Sequence, residues 1–380
     1  MKYIIVGAGV AGVSAIKEIK KCCDRSDEIV VFTEESRGFY YRPRLPECLS
    51  GEIDIKDILI SDIAWFEKSG IDLHLEEKVV DIFPSKNMLV SEEDSYNYDR
   101  LLLAAGATPR LPQSLPGIGL PGVYTLRSAE DAEQISKAAD RSAKAVVVGG
   151  GLLGLECAYN LQKKDLKVTV VEKKEYILNR QLDRRGGFLL QKELKDLGIE
   201  LCTGCTVTAV KGEDSVSGVA LKNGENISAD FVLFAVGVSS NTEIAAGRNI
   251  EINKGIVVDS RMSTSAENVY AAGDAAEYSG KIFGVWGPSL EMGKVAGKNM
   301  VGKEAEFTST VFAHSLKVAD KKVLSLGITD ENNGITSEVR SEKDPYCRVF
   351  KNREEDPVGA VIVGDYEEED ELVDCIKSSR

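Results

Sequence analysis

Histidine is almost absent from this 380-residue chain: only His74 and His314 occur, far apart in sequence. That count excludes a histidine-rich metal site. None of the eight cysteines falls in a four-cysteine cluster with zinc or iron–sulfur spacing, so any redox centre must be organic and no metal is expected. Long apolar runs are missing too; no stretch approaches the roughly 18 residues of a membrane-spanning helix. Basic excess is lacking, with 47 Lys and Arg against 61 Asp and Glu and a net charge of −14. Such a balance argues against nucleic acid and anionic membrane as partners. Little precedes the first apolar run, which leaves no room for a leader, and the expected location is the cytoplasm. A disulfide framework is not expected there. Cys22 and Cys23 adjoin in a helical stretch and point apart, so they are not expected to bridge.

What is present is a repeated grammar. Tyr3-Ile4-Ile5-Val6 reads as a buried parallel strand and runs into Gly7-Ala8-Gly9-Val10-Ala11-Gly12. A helix to about Lys21 follows, then the apolar run Ile29–Phe32, ending at Thr33-Glu34-Glu35. The same order returns at Ala145–Val148, Gly149-Gly150-Gly151-Leu152-Leu153-Gly154, a helix to about Lys164, and Val168–Val171 ending at Glu172. The three glycines of each turn do different things. The first allows the tight turn, the second lets the backbone approach a pyrophosphate, and the third lets helix pack on strand. The helix start then holds the phosphates through exposed N–H groups and dipole. Glu34, with Glu35 beside it, and Glu172 stand where an acid would accept from an adenosine ribose. A carboxylate at Glu172 favours NADH over NADPH, although Lys173 and Lys174 could soften that choice. Two such modules in one chain suggest that one holds a flavin and the other a nicotinamide.

Pro109 to Pro121, rich in Pro and Gly, reads as a boundary. Past Phe307 the pattern changes to short alternating segments (323–326, 347–350, 360–363), a turn at Asp356-Pro357 and an acidic helix from Glu367 to Lys377. This predicts a small α+β domain.

Further segments resemble those of the two-dinucleotide, glutathione-reductase-like flavoproteins. Leu103-Ala104-Ala105-Gly106-Ala107-Thr108-Pro109 is similar to their ATGxxP segment, and Phe234-Ala235-Val236-Gly237-Val238-Ser239-Ser240-Asn241 to their GxxPN-type return crossing. Val269–Ala276 matches their second FAD fingerprint, and Gly293 with Ala296-Gly297 fits the helix that follows. Gly38-Phe39-Tyr40-Tyr41-Arg42-Pro43-Arg44-Leu45 resembles the YxRPxL segment of the NADH:rubredoxin oxidoreductases, the rubredoxin and ferredoxin reductases and the N-terminal part of NADH-dependent nitrite reductase. Arg180-Gln181-Leu182-Asp183-Arg184-Arg185-Gly186-Gly187 adds to the clostridial rubredoxin-reductase likeness.

The resemblance implies an α/β chain of two Rossmann-like domains plus the small C-terminal α+β domain. A discontinuous FAD domain (1–110 and 240–302) would enclose an NAD domain (111–239), followed by 303–380. It implies FAD contacts from Gly7, Gly9, Val10, Ala11, Gly12, Glu34, Glu35, Arg42, Pro43, the Val79 backbone, Ala104, Ala105, Gly106, Gly273, Asp274 and Trp286. The NAD contacts would come from Gly149, Gly151, Leu152, Leu153, Gly154, Glu172 and Gly237. Around the reacting rings it points to Glu156, Arg44 and Trp286. Arg44 is expected to pair with Glu156, or else with Glu47, which stands where ferredoxin reductases often carry a lysine; Trp286 either lines the flavin or packs in the core.

The implied activity is transfer of electrons from NADH through FAD to a small acceptor protein such as rubredoxin, by a monomer or homodimer. The alternatives are an NADH oxidase, peroxidase or disulfide reductase, a flavin-bearing interaction module, and an electron-input subunit of a larger complex. Cysteine-dependent relatives need a thiol within the segment Tyr40–Arg44, and none is there; Cys48 comes later. Cys202-Thr203-Gly204-Cys205 is a CxxC at a strand end, expected to be structural or incidental rather than redox-active.

Overall fold

The apolar run at the start of the chain becomes the middle strand, Lys2–Val6, of a five-stranded parallel sheet. The strands lie in the order Val269–Ala271, Arg100–Leu103, Lys2–Val6, Glu28–Phe32, Asp72–His74. Ile4 and Ile5 are fully buried, as a strand covered on both faces requires. In this computed structural model, which describes residues 1–24, 26–308, 314–331 and 334–378, the arrangement occurs twice. The second sheet runs Val123–Thr125, Phe231–Phe234, Lys144–Val148, Lys167–Glu172, Glu200–Thr203, all parallel. In both sheets the middle strand enters the glycine turn and its two flanking strands run in parallel beside it. The turn therefore emerges where the strand order reverses, the crevice in which doubly wound sheets bind ligands. Each sheet has a three-stranded antiparallel companion, Val79–Phe83 with Met88–Ser91 and Ser95–Asn97 in one case, Val207–Gly212 with Val216–Leu221 and Asn226–Ser228 in the other.

The chain forms two compact units. The first comprises Met1–Pro43, Ile55–Thr108 and Val238–Thr308, and the second Arg44–Asp54, Pro109–Gly237 and Ser309–Arg380. Within the first, the helix Val10–Lys20 packs against Trp286–Met300 at very short range. A methyl group on Gly293 would lie 2.1 Å from the Ala11 carbonyl oxygen, and one on Gly297 2.5 Å from that of Ala15. The helix stops at Lys20, so Cys22 and Cys23 stand in the turn beyond it rather than in the helix, and neither is bridged.

Within the second unit, the C-terminal segment forms a five-stranded antiparallel sheet ordered His314–Val318, Lys321–Gly327, Pro357–Val363, Tyr346–Lys351, Thr336–Glu342. Alternation decides its faces. Leu324, Leu326, Cys347, Val349, Ala360 and Ile362 form one core with Leu372 and Ile376, one turn apart on the helix Glu369–Ser378. Tyr346 and Arg348, from alternate positions in the same strand, instead meet Asp183, the N-cap of the helix Arg184–Asp196. Among the described residues no helix is long and apolar enough to cross a membrane.

Candidate functional site

The two glycine turns share one geometry. The amide of Gly7 donates to the Phe32 carbonyl at 2.8 Å, and that of Gly149 to Val171 at 2.8 Å. A side chain on Gly7 would strike the Ala104 carbonyl oxygen at 2.2 Å, and one on Gly149 that of Ala235 at 2.4 Å, so the neighbouring strand end closes each turn from the side. The third glycines, Gly12 and Gly154, each lie so that a methyl would sit 2.0 Å from the oxygen of Gly7 or Gly149. The middle glycines differ in kind. A methyl on Gly9 or Gly151 would meet no protein atom within 4 Å. Packing does not require glycine there, and the backbone is open to solvent on that side. Each middle glycine is the N-cap of an 11-residue helix, Val10–Lys20 or Leu152–Gln162, and accepts that helix's first bond, from Val13 at 2.9 Å or Leu155 at 3.0 Å. The amides of Val10, Ala11, Gly12 and of Leu152, Leu153, Gly154 precede that bond and have no acceptor within the helix. A pyrophosphate fits this chemistry.

The acids differ between the turns. Glu172 directly follows Val171, is buried, and is held by two amides: Gly150 N–H to Oε2 at 2.7 Å and Lys174 N–H to Oε1 at 2.7 Å. The equivalent position in the first module is Thr33, the residue after Phe32, and this is also buried. Glu34 lies one residue further on and is exposed. Glu35 accepts from Tyr40 Oη and, at 2.6 Å, from Arg42. Sequence spacing alone did not distinguish these positions; the period-2 alternation counted from the strand pairing would have done.

Arg42 opens the 3₁₀ segment Arg42–Leu49. Burial, the largest influence, disfavours its charge, but Tyr40, Glu35 and Asp274 together more than offset this and its pKa lies above the ordinary value. The structure thus brings Glu35, Arg42 and Asp274 into one electrostatic group. Asp274 sits in the short turn Gly273–Ala275; its backbone oxygen accepts from Ser240 Oγ at 2.6 Å, and its carboxylate faces Ser289 Oγ at 3.5 Å. Asn241 donates its side-chain amide to Ala105 O at 2.9 Å and its backbone N–H to Gly106 O at 3.0 Å, tying the two crossing segments together. Gly106 and Gly237 both hold positive φ. Pro43 follows Arg42 in the 3₁₀ segment, and Val79 begins the strand Val79–Phe83.

Trp286 is the first residue of the helix Trp286–Met300 and only partly buried. It stacks on Phe39, with ring centroids 5.6 Å apart, and meets Tyr41 edge-on at 4.6 Å. These two aromatics flank Trp286, a role the sequence did not suggest for them. Arg44 forks onto Glu47, with Nε 2.9 Å and Nη2 2.6 Å from Oε2. Arg44 thus forms the expected i,i+3 ion pair with Glu47. Glu156 projects from the second turn of the helix Leu152–Gln162, beside fully buried Cys157; burial pushes that thiol's pKa far up, and Glu156 adds to the shift.

Cys48 is buried. Cys202 and Cys205 form a disulfide, which the sequence reading, expecting no disulfide framework, did not anticipate. Their three-residue spacing at a strand end was the available signal. Among the described residues no group of three or more His, Cys, Asp or Glu is placed to hold a metal ion.

Comparison with known proteins places these features. Residues 1–297 match the family model for pyridine nucleotide-disulphide oxidoreductases, and residues 313–380 match that for the rubredoxin NAD+ reductase C-terminal domain. The chain is 34% identical over 379 residues to a nitrite reductase [NAD(P)H] of Bacillus subtilis, covering 99% of this chain and 47% of that protein. It is 31% identical over 380 residues to the NADH-rubredoxin oxidoreductase of Clostridium acetobutylicum, covering 100% of this chain and 95% of that one. An NAD-dependent persulfide reductase from A. fulgidus superposes with a TM-score of 0.94 at 28% identity, over 100% of this chain and 77% of that one. The chain thus spans about half the length of the Bacillus relatives it matches and nearly all of the clostridial one. On the match over residues 1–297, the chain belongs to the pyridine nucleotide-disulphide oxidoreductase family.

Proposed function

We propose that this chain binds FAD at the Gly7–Gly12 turn and NADH at the Gly149–Gly154 turn, and delivers electrons from NADH to a small one-electron acceptor protein, rubredoxin first among candidates. The reading rests above all on the paired turns whose middle glycines face open space. Residues 1–110 and 240–302 would form the flavin domain, 111–239 the nicotinamide domain and 303–380 an accessory domain. When bound, NADH supplies a hydride and FAD accepts it as a pair and releases electrons singly.

The chain's own residues bind and orient. The amides of residues 10–12 and 152–154 hold the diphosphates. Glu172, already fixed by two backbone donors, keeps further lone pairs for the ribose hydroxyls and repels a 2′-phosphate. Arg42, charged in the field of Glu35 and Asp274, serves the flavin diphosphate; Asp274 accepts from the ribityl chain, and Trp286, held by Phe39 and Tyr41, flanks the ring system. Glu156 orients the carboxamide of the nicotinamide, and Arg44 with Glu47 lies at its margin. The electron path needs no thiol beside the flavin: residues 36–47 contain no cysteine and Cys48 is buried, which speaks against the peroxidase and disulfide-reductase readings. A cytoplasmic location suits a chain with six free cysteines.

The match of residues 313–380 to the rubredoxin-reductase C-terminal domain and near-complete coverage of the clostridial relative favour rubredoxin. Coverage of only half the nitrite reductase favours a second reading, an electron-input module of a larger enzyme. Anaerobic titration tests both: one equivalent of NADH should bleach the flavin, and rubredoxin should reoxidise it faster than ferredoxin, oxygen or disulfides do. A colourless protein that neither takes up FAD nor binds NADH would overturn the proposal, and reoxidation only within a copurifying assembly would select the second reading.

A further inference from the structure

The Cys202–Cys205 disulfide stands at the end of the strand Glu200–Thr203, at the edge of the second parallel sheet. Register places Cys202 opposite Val171 and Thr203 opposite Glu172. The bonded loop continues the pairing past the strand end. Cys205 N–H donates to the Glu172 carbonyl at 3.0 Å, and Gly204 N–H to the Lys174 carbonyl at 2.8 Å. Lys174 N–H in turn donates to the Glu172 carboxylate at 2.7 Å. The segment closed by the disulfide therefore holds both ends of the turn that presents the Glu172 carboxylate. Both cysteines are only partly buried, and Gly204 between them is exposed, so a small reagent can reach the bond. Cys202 and Cys205, each partly buried, also pack on the apolar cluster that includes Val210, Val216 and Leu221.

We propose that Cys202 and Cys205 form a reversible dithiol–disulfide site that sets how firmly the chain grips its nicotinamide nucleotide. The inference rests on the reading of the Gly149–Gly154 turn as the nucleotide site. The reductant is a dithiol: its two thiols lose two electrons and two protons to become a disulfide, the Cys202–Cys205 sulfur–sulfur bond breaks, and each cysteine gains one proton. Oxidation by a disulfide runs the same exchange backward. In the bonded state the loop is restrained before ligand arrives, so ordering Glu172 costs little on binding; in the open state that ordering opposes binding.

The test is calorimetric titration of the holoprotein with NAD+ in three forms: air-oxidised, treated with dithiothreitol, and the C202S/C205S double variant. Alkylation followed by mass measurement counts free thiols in each. The oxidised protein should show two fewer free thiols than the reduced one. Reduction should weaken NAD+ binding by roughly three- to tenfold, the scale of one or two side chains left unordered. The double variant should match the reduced wild type and ignore dithiothreitol. Equal affinities for the oxidised and reduced wild type, a dithiothreitol response that survives in the double variant, or equal thiol counts would overturn the inference while leaving the nucleotide site standing. Absence of NAD+ binding in every form would overturn the nucleotide reading and this inference with it. Melting temperatures of the three forms show whether each is folded, so a fall in affinity is read only on folded protein.

Discussion

Substituting the middle and the last glycine of the second turn separates a residue kept for a ligand from one kept for packing. In Gly151→Ala the new methyl meets no protein atom within 4 Å, and the native φ of −83° suits alanine. Loss of chain entropy in the unfolded state favours alanine by about 0.4–1 kcal/mol, while alanine at an N-cap is worse than glycine by a similar amount, so stability should stay within about 0.5 kcal/mol. In Gly154→Ala the methyl would lie 2.0 Å from the Gly149 oxygen, and reaching even the tightest tolerated contact of 3.0 Å requires about 1 Å of movement between helix and strand. Overpacking of that kind costs about 1–3 kcal/mol. For a unit of this size that is a fall of about 3–10 °C in melting temperature. Nucleotide binding should fall in both variants. In Gly151→Ala the methyl occupies the approach path of a phosphate, and losing one charge-assisted hydrogen bond, about 1.5–3 kcal/mol, weakens binding by about 10- to 150-fold. FAD content should be unchanged in both, because the altered turn belongs to the other module. Differential scanning calorimetry gives stability, and NAD+ titration of the FAD-loaded protein gives affinity. A Gly151→Ala protein that binds NAD+ as the wild type does would refute the assignment of the open space to a phosphate.

Three further outcomes follow from single contacts. Glu172→Ala removes the buried carboxylate held by Gly150 and Lys174, and should weaken NADH binding by at least about tenfold while narrowing its preference over NADPH; an unchanged ratio of the two dissociation constants would show that the acid does not select. Asp183→Ala removes the helix cap on Gly186 and the acceptor of Tyr346 and Arg348, at 2.7 and 2.8 Å, and should destabilise the second unit by about 2–4 kcal/mol in urea unfolding; a loss under about 0.5 kcal/mol would contradict the network. Tyr98→Phe removes a buried hydroxyl that has no hydrogen-bond partner among the described residues, and should raise stability by about 1 kcal/mol. Burial pushes the Tyr98 pKa up to about 12 from 10, so its protonated form contributes stability in full below pH 10, and this is lost as pH rises from 10 toward about 12. The variant should therefore lose less stability than the wild type across that alkaline range; parallel profiles would sink the assignment.

The two glycine turns were legible because everything that makes them is local. Strand, turn and helix occupy about twenty consecutive residues, and the clashes that demand Gly12 and Gly154 involve carbonyls only five residues away. Three of the five strands of the antiparallel C-terminal sheet were legible for the same reason, from alternation within single segments; His314–Val318 and Thr336–Glu342 were not. Other features join residues that no local pattern connects. Asp183 meets Arg348 across 165 positions, which explains why the Arg180–Gly187 segment carries Asp and paired glycines: the acid caps its own helix and holds a distant strand, and a methyl on Gly187 would strike the Tyr176 ring at 2.5 Å. The register that aligns Thr33, not Glu34, with Glu172 came from strand pairing. Local steric rules act on neighbours in the chain and so can be read from order alone. Pair contacts over a hundred residues or more depend on how whole layers settle against each other, and that is decided only when the core forms.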